Sequence, residues 1–412
     1  MLFTRRAVLA CLVTLFAFAQ ARAADEPQWF KGNLHTHSLW SDGNDFPEMI
    51  ADWYASRGYH FLALSDHNIL SKGQKWMNVR DINRRGNVHA LDRYIKRFGS
   101  DWVEVRGEDP NKEVRLKALD EFRGKLEKPG KFLMIQGEEI TDRFGNQPVH
   151  MNATNIQELI RPQGGKSVRE VIRNNIKAVI EQSEKTGKPI LAHLNHPNFG
   201  WGVTAEDIAH VVEEQFFEVF NAHPGVRHHG DDKHPGVEKL WDIANVIRLT
   251  KLNAAPLYGL GTDDSHNYQS IEGDANSARR AEPGRAWCMV RAKELSPEAL
   301  IDAMKKGDFY ASTGVTLKDA SFKDGTLSLE IAPDSDATYV TQVIGTKKDS
   351  DDVGQVLAEV KGLKPSYKLT GDELYVRAVV NSSKGAPNPI FKDQKRQAWT
   401  QPVGWEKWLK RE

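Results

Sequence analysis

Five short apolar runs in this sequence each end on histidines, carboxylates or both, and that recurrence limits the fold more than any other feature. Phe61–Leu64 leads into Ser65-Asp66-His67-Asn68, and Phe132–Ile135 leads into Gly137-Glu138-Glu139. Pro189–Ala192 ends in the stretch His193 to His196, and Phe216–Phe220 ends in Asn221-Ala222-His223. Leu257–Leu260 ends in Thr262-Asp263-Asp264-Ser265-His266. Continuous apolar runs of this length suit parallel strands buried on both faces. Amphipathic stretches lie between them. Ser167 with Glu170 reads as a capping box, Thr204 starts a second helix with Asp207 at its third position, and Ser296-Pro297 starts a third. Strand–helix alternation predicts an α/β protein built from βα units. Counting His35-x-His37, at least six strand ends carry ionisable groups. That number favours a barrel, whose catalytic face is the ring of strand ends, over an open sheet, which gathers its site from fewer.

The regular rhythm breaks twice. Residues 72–114, rich in Asn, Arg, Asp, Gly and Trp, read as an insertion over the mouth. After Thr313-Gly314, alternating runs separated by turns such as Lys323-Asp324-Gly325 predict a small antiparallel β domain over 315–412, leaving 24–314 as the catalytic barrel. The chain of 412 residues has room for both.

At the other end, Arg5-Arg6, an apolar stretch from Ala7 to Ala19 and Ala21-Arg22-Ala23 predict a cleaved signal peptide over residues 1–23. The expected location is the periplasm or the exterior, with twin-arginine export one route. Cleavage removes three of the 56 Lys and Arg residues and none of the 56 Asp and Glu residues, leaving a slightly acidic chain with no basic track for nucleic acid. It also removes Cys11, so Cys288 has no intramolecular partner. No second apolar run reaches membrane-spanning length.

The chemistry lies in the ligand-type residues. Positions i and i+2 of a strand share a face, so His35 and His37 can grip one ion. Asp42, His67, Glu139, His150, His196, Asp264 and His266 add to them. A single histidine after a strand is more often a satisfied core or surface residue. A whole series of such groups has no cheap structural explanation, because buried charges must be paired or metal-bound. The mixed nitrogen and oxygen set suits zinc, manganese or iron(II). Nine candidates are too many for one tetrahedral site, so two or three divalent ions sharing a carboxylate fit better.

His35-Thr36-His37, Ser41-Asp42-Gly43 and Ser65-Asp66-His67-Asn68 resemble the first motifs of the PHP (polymerase and histidinol phosphatase) superfamily. Gly137-Glu138-Glu139-Ile140, Val149-His150, Asn195-His196-Pro197 and the stretch Gly261 to His266 resemble its later motifs, in order, over residues 30 to 314. Tyr310-Ala311-Ser312-Thr313-Gly314 and Ala398-Trp399-Thr400-Gln401-Pro402 are similar to the exported CehA/McbA-type metallohydrolases. The resemblance implies a distorted (β/α)7 TIM-like barrel. It implies that His35, His37, Glu139 and Asp264 hold one metal, that Glu139 bridges to a second held by His150 and His196, and that Asp42, His67 and His266 hold a third. Within it, G-x-E-I spacing favours Glu139 over Glu138, His-Pro pairing favours His196 over His193, and D-x-H spacing favours Asp264 over Asp263.

The expected activity is hydrolysis of a small phosphate ester by a metal-bound hydroxide, with Glu139, Asp264 and His266 in the machinery and Arg227 as a phosphate clamp. Asp66 either orients His67 or caps a turn. Hydrolysis of a carbamate, ester or amide is the alternative, and Trp40, Trp76, Phe199 and Trp201 near the ligand motifs make it plausible. A non-catalytic metal- or ligand-binding protein is a third reading.

Overall fold

The computed structural model describes residues 26–86, 88–268 and 277–410. The leader expected at residues 1–23 lies outside them. Among the described residues a thirteen-stranded sheet organises the molecule. In chain order it begins with β1 (Gln28–Asn33), β2 (Phe61–Leu64), β3 (Leu133–Phe144), β4 (Gln147–Thr154), β5 (Leu191–Leu194), β6 (Phe216–Asn221) and β7 (Tyr258–Thr262). These seven neighbour one another in that order, and all but β4 run parallel. Every residue of β2 and β6 is buried. Phe30, Phe61, Ile135, Leu191, Phe216 and Leu260 fill the space between the strands. Val171, Ile172, Ile208 and Trp241, from the outer helices, pack against Phe217 and Val219 on the other side.

Two features depart from an all-parallel, closed barrel. First, β4 runs back against β3, because Gly145 at φ +59 begins a two-residue turn paired by Phe144 and Gln147. Second, no ladder joins β1 to β7. The chain just beyond them meets through a single parallel bridge, Thr36 to Ser265, with His37 N–H donating to Ser265 O at 2.9 Å. The sheet instead continues from β1 through Trp287–Ala292, Phe309–Ser312, Lys395–Thr400, Glu373–Gly385, Tyr339–Lys347 and Gln355–Lys361, each antiparallel to its neighbour.

The helix starts follow their side chains. Ser167 Oγ accepts from Glu170 N at 3.2 Å, although the Glu170 carboxylate takes Lys166 N–H instead of closing the box. Thr204 and Asp207 close theirs on both sides. The expected insertion folds as a three-stranded antiparallel sheet, Lys75–Asn78, Val105–Arg106 and Glu113–Leu116, with helices Val79–Arg84 and Ala90–Phe98, so it runs slightly past residue 114. Their core takes in Leu39, Trp40 and Phe46. Arg85 donates to Gly43 O at 2.7 Å and Arg93 to Asp45 at 2.9 Å, so this segment holds the loop that carries Asp42.

Candidate metal centre

His35 and His37 follow β1 on a backbone fixed from several directions. Asn33 Oδ1 accepts from His35 N at 2.9 Å, Ser65 Oγ from Thr36 N at 3.0 Å, and the Tyr268 hydroxyl donates to His37 O at 2.8 Å. Both imidazoles are fully buried. The loop after them is tied down by Asp66, whose carboxylate accepts from Ser38 N at 2.8 Å, Ser38 Oγ at 2.7 Å, Ser41 N at 2.9 Å and Ser41 Oγ at 2.6 Å. Of the two roles open to Asp66, the structure gives it the turn.

The structure brings eight of the nine sequence-selected residues together in overlapping groups, and Asp264 joins them through His35 and His37. Glu139 Oε1 lies 3.5 Å from His35 Nε2, and Glu139 Oε2 lies 3.4 Å from His37 Nε2. Asp264 Oδ1 lies 3.2 Å and 3.1 Å from the same two nitrogens. On its other side Glu139 Oε1 faces His150 Nδ1 at 3.1 Å and His196 Nε2 at 3.5 Å. Asp42 faces His37 Nδ1 at 3.7 Å, His67 Nε2 at 3.5 Å and His266 Nε2 at 3.4 Å. His37 thus offers one nitrogen to each of two groups. Asp42 is exposed and His67 and His266 half-buried, so this end is the open one. Backbone strain marks the same place: Asp264 and His196 sit at φ +46 and +21, outside the comfortable range of side chains with a Cβ.

The residues fit divalent ions on two counts. Bonds of about 2.0–2.2 Å from nitrogen and oxygen to a divalent ion put neighbouring ligand atoms roughly 3 to 3.6 Å apart, and the separations above span 3.1 to 3.7 Å. His35 Nε2, His37 Nδ1 and Glu139 Oε2 are also buried without a hydrogen-bond partner, a costly state unless something else occupies their lone pairs. The electrostatics keep Glu139 and His37 in their binding forms, whereas, against burial, nearby carboxylates raise His35, His67, His196 and His266, whose extra protons a bound cation displaces. Burial opposes the charge on Glu139, but His67, His35 and His150 hold its carboxyl well below the ordinary range. Burial, helped by His266 and His67, lowers His37 to about 3, so its ring is neutral.

Most neighbours of these ligands are committed elsewhere. Glu138, on the other face of the strand, is fully buried and accepts Ile160 N–H at 2.9 Å. Asp263 accepts from Tyr54 Oη at 2.8 Å and from the backbone of Gly284, Arg285 and Ala286 at 2.8, 2.7 and 2.9 Å. His193 is the exception: it is buried 3.4 Å from Glu218, neither ring nitrogen has a hydrogen-bond partner, and with His35 and Glu218 it forms a further group able to hold an ion. Arg227 stays outside the cluster, exposed, with its guanidinium 4.9 Å from the Trp201 ring. Trp201 stacks on His234 at 4.1 Å, Trp40 lies in the insertion core, and Trp76 sits under Arg106. Of the four aromatics picked from sequence, only Phe199 packs on ligand rings: it is 5.0 Å from His196 and 6.3 Å from His150. His223, His228, His229 and His234, close together in sequence after β6, do not assemble into one group. His228 bonds Asn221 O, His234 bonds Asp231, and His229 abuts Phe391, while His223 alone faces the cluster, 5.6 Å from His266.

Sequence reasoning missed Glu218. This buried carboxylate accepts from His35 Nδ1 at 2.7 Å, Thr262 Oγ1 at 2.7 Å, Asn221 Nδ2 at 2.7 Å and His196 N at 2.8 Å. Holding the proton of His35 on Nδ1 leaves Nε2 as the ligand atom. Its signal was a lone acid inside Phe216-Phe217-Glu218-Val219-Phe220, which a buried strand tolerates only with partners. Asn195 was missed as well; its amide donates to Glu139 Oε1 at 2.8 Å.

No family model matches the chain, and no curated protein matches it. Among solved structures it is similar to a two-domain protein from Bacteroides vulgatus, described as containing a "predicted PHP-like metal-dependent phosphoesterase". The identity is 17%, over 92% of this chain and 96% of that one, with a TM-score of 0.41. It is also similar to a candidate metal-dependent phosphoesterase from Bifidobacterium adolescentis, at 14% identity over 61% and 92% of the two chains and a TM-score of 0.30. An amidohydrolase from Chromobacterium violaceum matches at 14% identity over 58% and 88%, with a TM-score of 0.27. At such distances function has to be read from the site itself.

Proposed function

We propose that the protein is a metal-dependent hydrolase of the PHP type on a distorted seven-stranded barrel, acting first of all on phosphate esters. It would use two or three divalent ions, zinc, manganese or iron, held by His35, His37, Asp42, His67, Glu139, His150, His196, Asp264 and His266. The observation that carries this reading is the set of overlapping ligand groups that share Glu139 and His37, with buried ligand atoms left unpartnered. Bound ions would supply Lewis acidity and an acidified water. We further propose that residues 1–23 direct export and that 24–314 and 315–412 are the catalytic and β units. No helix among the described residues is long and apolar enough to cross a membrane.

The protein's own groups have separable tasks. Glu218 orients His35, and Asp66 fixes the loop between His37 and Asp42. His223 handles charge on the substrate. Gly225 N–H donates to His223 Nδ1 at 3.0 Å, so the neutral ring carries its proton on Nε2, and no protein partner takes that N–H among the described residues. Offered to a substrate oxygen, it stabilises charge developing there. Surrendering it would leave an imidazolate, so His223 is a hydrogen-bond donor and not a proton source. His223→Ala should lower kcat by about 100-fold with metal content unchanged, and His223→Gln, which keeps an N–H, should recover part of the loss. Loss of metal in His223→Ala would contradict this role.

Carbamate or aryl ester hydrolysis is the second reading. It is favoured by the Phe199 wall beside His196 and by the absence of any arginine or lysine side chain hydrogen-bonded to the ligand carboxylates among the described residues. Turnover of an aryl phosphate, an aryl phosphodiester and an aryl carbamate by the metal-reconstituted protein, measured side by side, separates the two. Phosphate turnover well above carbamate turnover supports the first reading, and the reverse order supports the second.

A further inference from the structure

The β3–β4 hairpin carries the centre's ligands on one face and continues past them. Thr141 pairs with His150 and Arg143 with Pro148, while Glu139 stands opposite Asn152. Alternation therefore places Glu139, Thr141, His150, Pro148 and Arg143 on the same face. Two residues of strand span about 7 Å, so Arg143 lies roughly that far along the hairpin from His150. The opposite face holds Val149, which is fully buried, and Asp142.

A cleft of about 680 Å³ runs along this face. His150 and Thr141 line its inner end, where Thr141 Oγ1 contacts His67 Nδ1 at 2.5 Å. Phe199 and Pro148 form its apolar walls, and Arg143 and Asn146 its outer end. The Phe199 wall is firmly seated: a side chain on Gly202 would come within 2.1 Å of Pro148 O, so the turn after Phe199 presses directly on β4. The charge of the cleft is settled as well. The Asp142 carboxylate is used up by Arg143 N at 2.7 Å, Gly164 N at 2.9 Å and Asn175 Nδ2 at 2.9 Å. The exposed Arg143 guanidinium has no acidic partner among the described residues. The uncommitted charge in the cleft is one cation, beyond an apolar floor.

We propose that this cleft is the substrate site and that it selects small molecules with a flat apolar body and a second acidic group, held by Arg143 about one aromatic ring beyond the reacting centre. This rests on the reading of the protein as a metal-dependent hydrolase. A guanidinium pairs with a carboxylate through two parallel N–H donors, and Phe199 supplies a face for a ring.

The test compares phenyl phosphate with para-carboxyphenyl phosphate on the metal-loaded full chain. The wild type is expected to favour the carboxylated ester by about fivefold in kcat/KM, the scale of a partly exposed charge pair. Arg143→Ala should bring that ratio near one, and Arg143→Glu should bring it below one. A parallel calorimetric titration uses phenylphosphonate and para-carboxyphenylphosphonate, which are not hydrolysed. If the carboxylated phosphonate binds the wild type but not Arg143→Glu more tightly while neither ester is turned over, the hydrolase reading fails and the cleft assignment stands. No binding of either phosphonate, equal binding of both by the wild type, or a preference that survives Arg143→Glu overturns the assignment.

Discussion

Glu139→Gln is expected to abolish hydrolysis and to strip metal from the protein, while Glu138→Gln keeps both within a few-fold. Glu139 is the one carboxylate whose two oxygens face ligands of every group in the cluster: His35, His150 and His196 through Oε1, His37 and His67 through Oε2. A carboxylate shared by two ions offsets their mutual repulsion. An amide removes the charge and turns an NH2 group toward a position that needs a lone pair. Glu138 is adjacent in sequence but on the other face of β3. Burial pushes its carboxyl up to about 8, against a smaller opposing effect of Ile160 N–H, so it is mostly protonated at neutral pH. Glutamine there replaces one neutral group by another of the same shape. Metal content and kcat/KM of the two variants, compared after circular dichroism shows both folded, check the prediction. A dead Glu138→Gln with an active Glu139→Gln would contradict it.

The second large effect lies far from the ligands. Arg377 on the strand Glu373–Gly385 donates to Asp242 through Nε at 2.9 Å and Nη2 at 2.8 Å, and Tyr375 Oη donates to the same carboxylate at 2.7 Å. Asp242 belongs to helix Val237–Lys251, which follows the loop carrying His223. Both charged side chains are nearly inaccessible, at 1% and 3% exposure. Removing one partner of such a pair strands the other charge in a medium that cannot solvate it. Arg377→Ala should therefore cost about 3–5 kcal/mol, read as a lower midpoint in urea. Replacing both, as Arg377→Met with Asp242→Leu, should recover most of the loss, because a well-packed apolar pair carries no desolvation cost. A single variant within about 1 kcal/mol of wild type, well short of that cost, would show that the pair is not what clamps the C-terminal strands to the helix Val237–Lys251.

What could be read from sequence follows from where the chemistry sits on each element. Phe61–Leu64 is buried on both faces and Leu257–Leu260 nearly so, with Tyr258 half-buried, so both runs lack charge, which can stand only where the strand ends; His67, Asp264 and His266 were legible for that reason. β4 hid itself. Val149-His150-Met151-Asn152 alternates, as a strand with two unlike faces must, and its direction was set by the short Gly145-Asn146 turn. Glu218 was lost inside an apolar run because its partners come from strands distant in sequence, His35 and Thr262. The same long-range pairing governs the C-terminal strands. Nothing in Phe309–Ser312 announces that it bonds Trp287–Ala292 on one side and Lys395–Thr400 on the other, which makes one continuous sheet. Trp201 and Arg227 were drawn to the site by proximity in sequence, but they satisfy each other and His234 instead.

Elemental analysis of the full chain, expressed with zinc, manganese and iron supplied and purified without chelators, tests the central claim most directly. The geometry predicts between two and three divalent ions per chain, most of them lost in the double variant His35→Ala with His37→Ala, since each imidazole contributes several kcal/mol of binding that water replaces poorly. At most trace metal in the wild-type protein under those conditions would contradict the account.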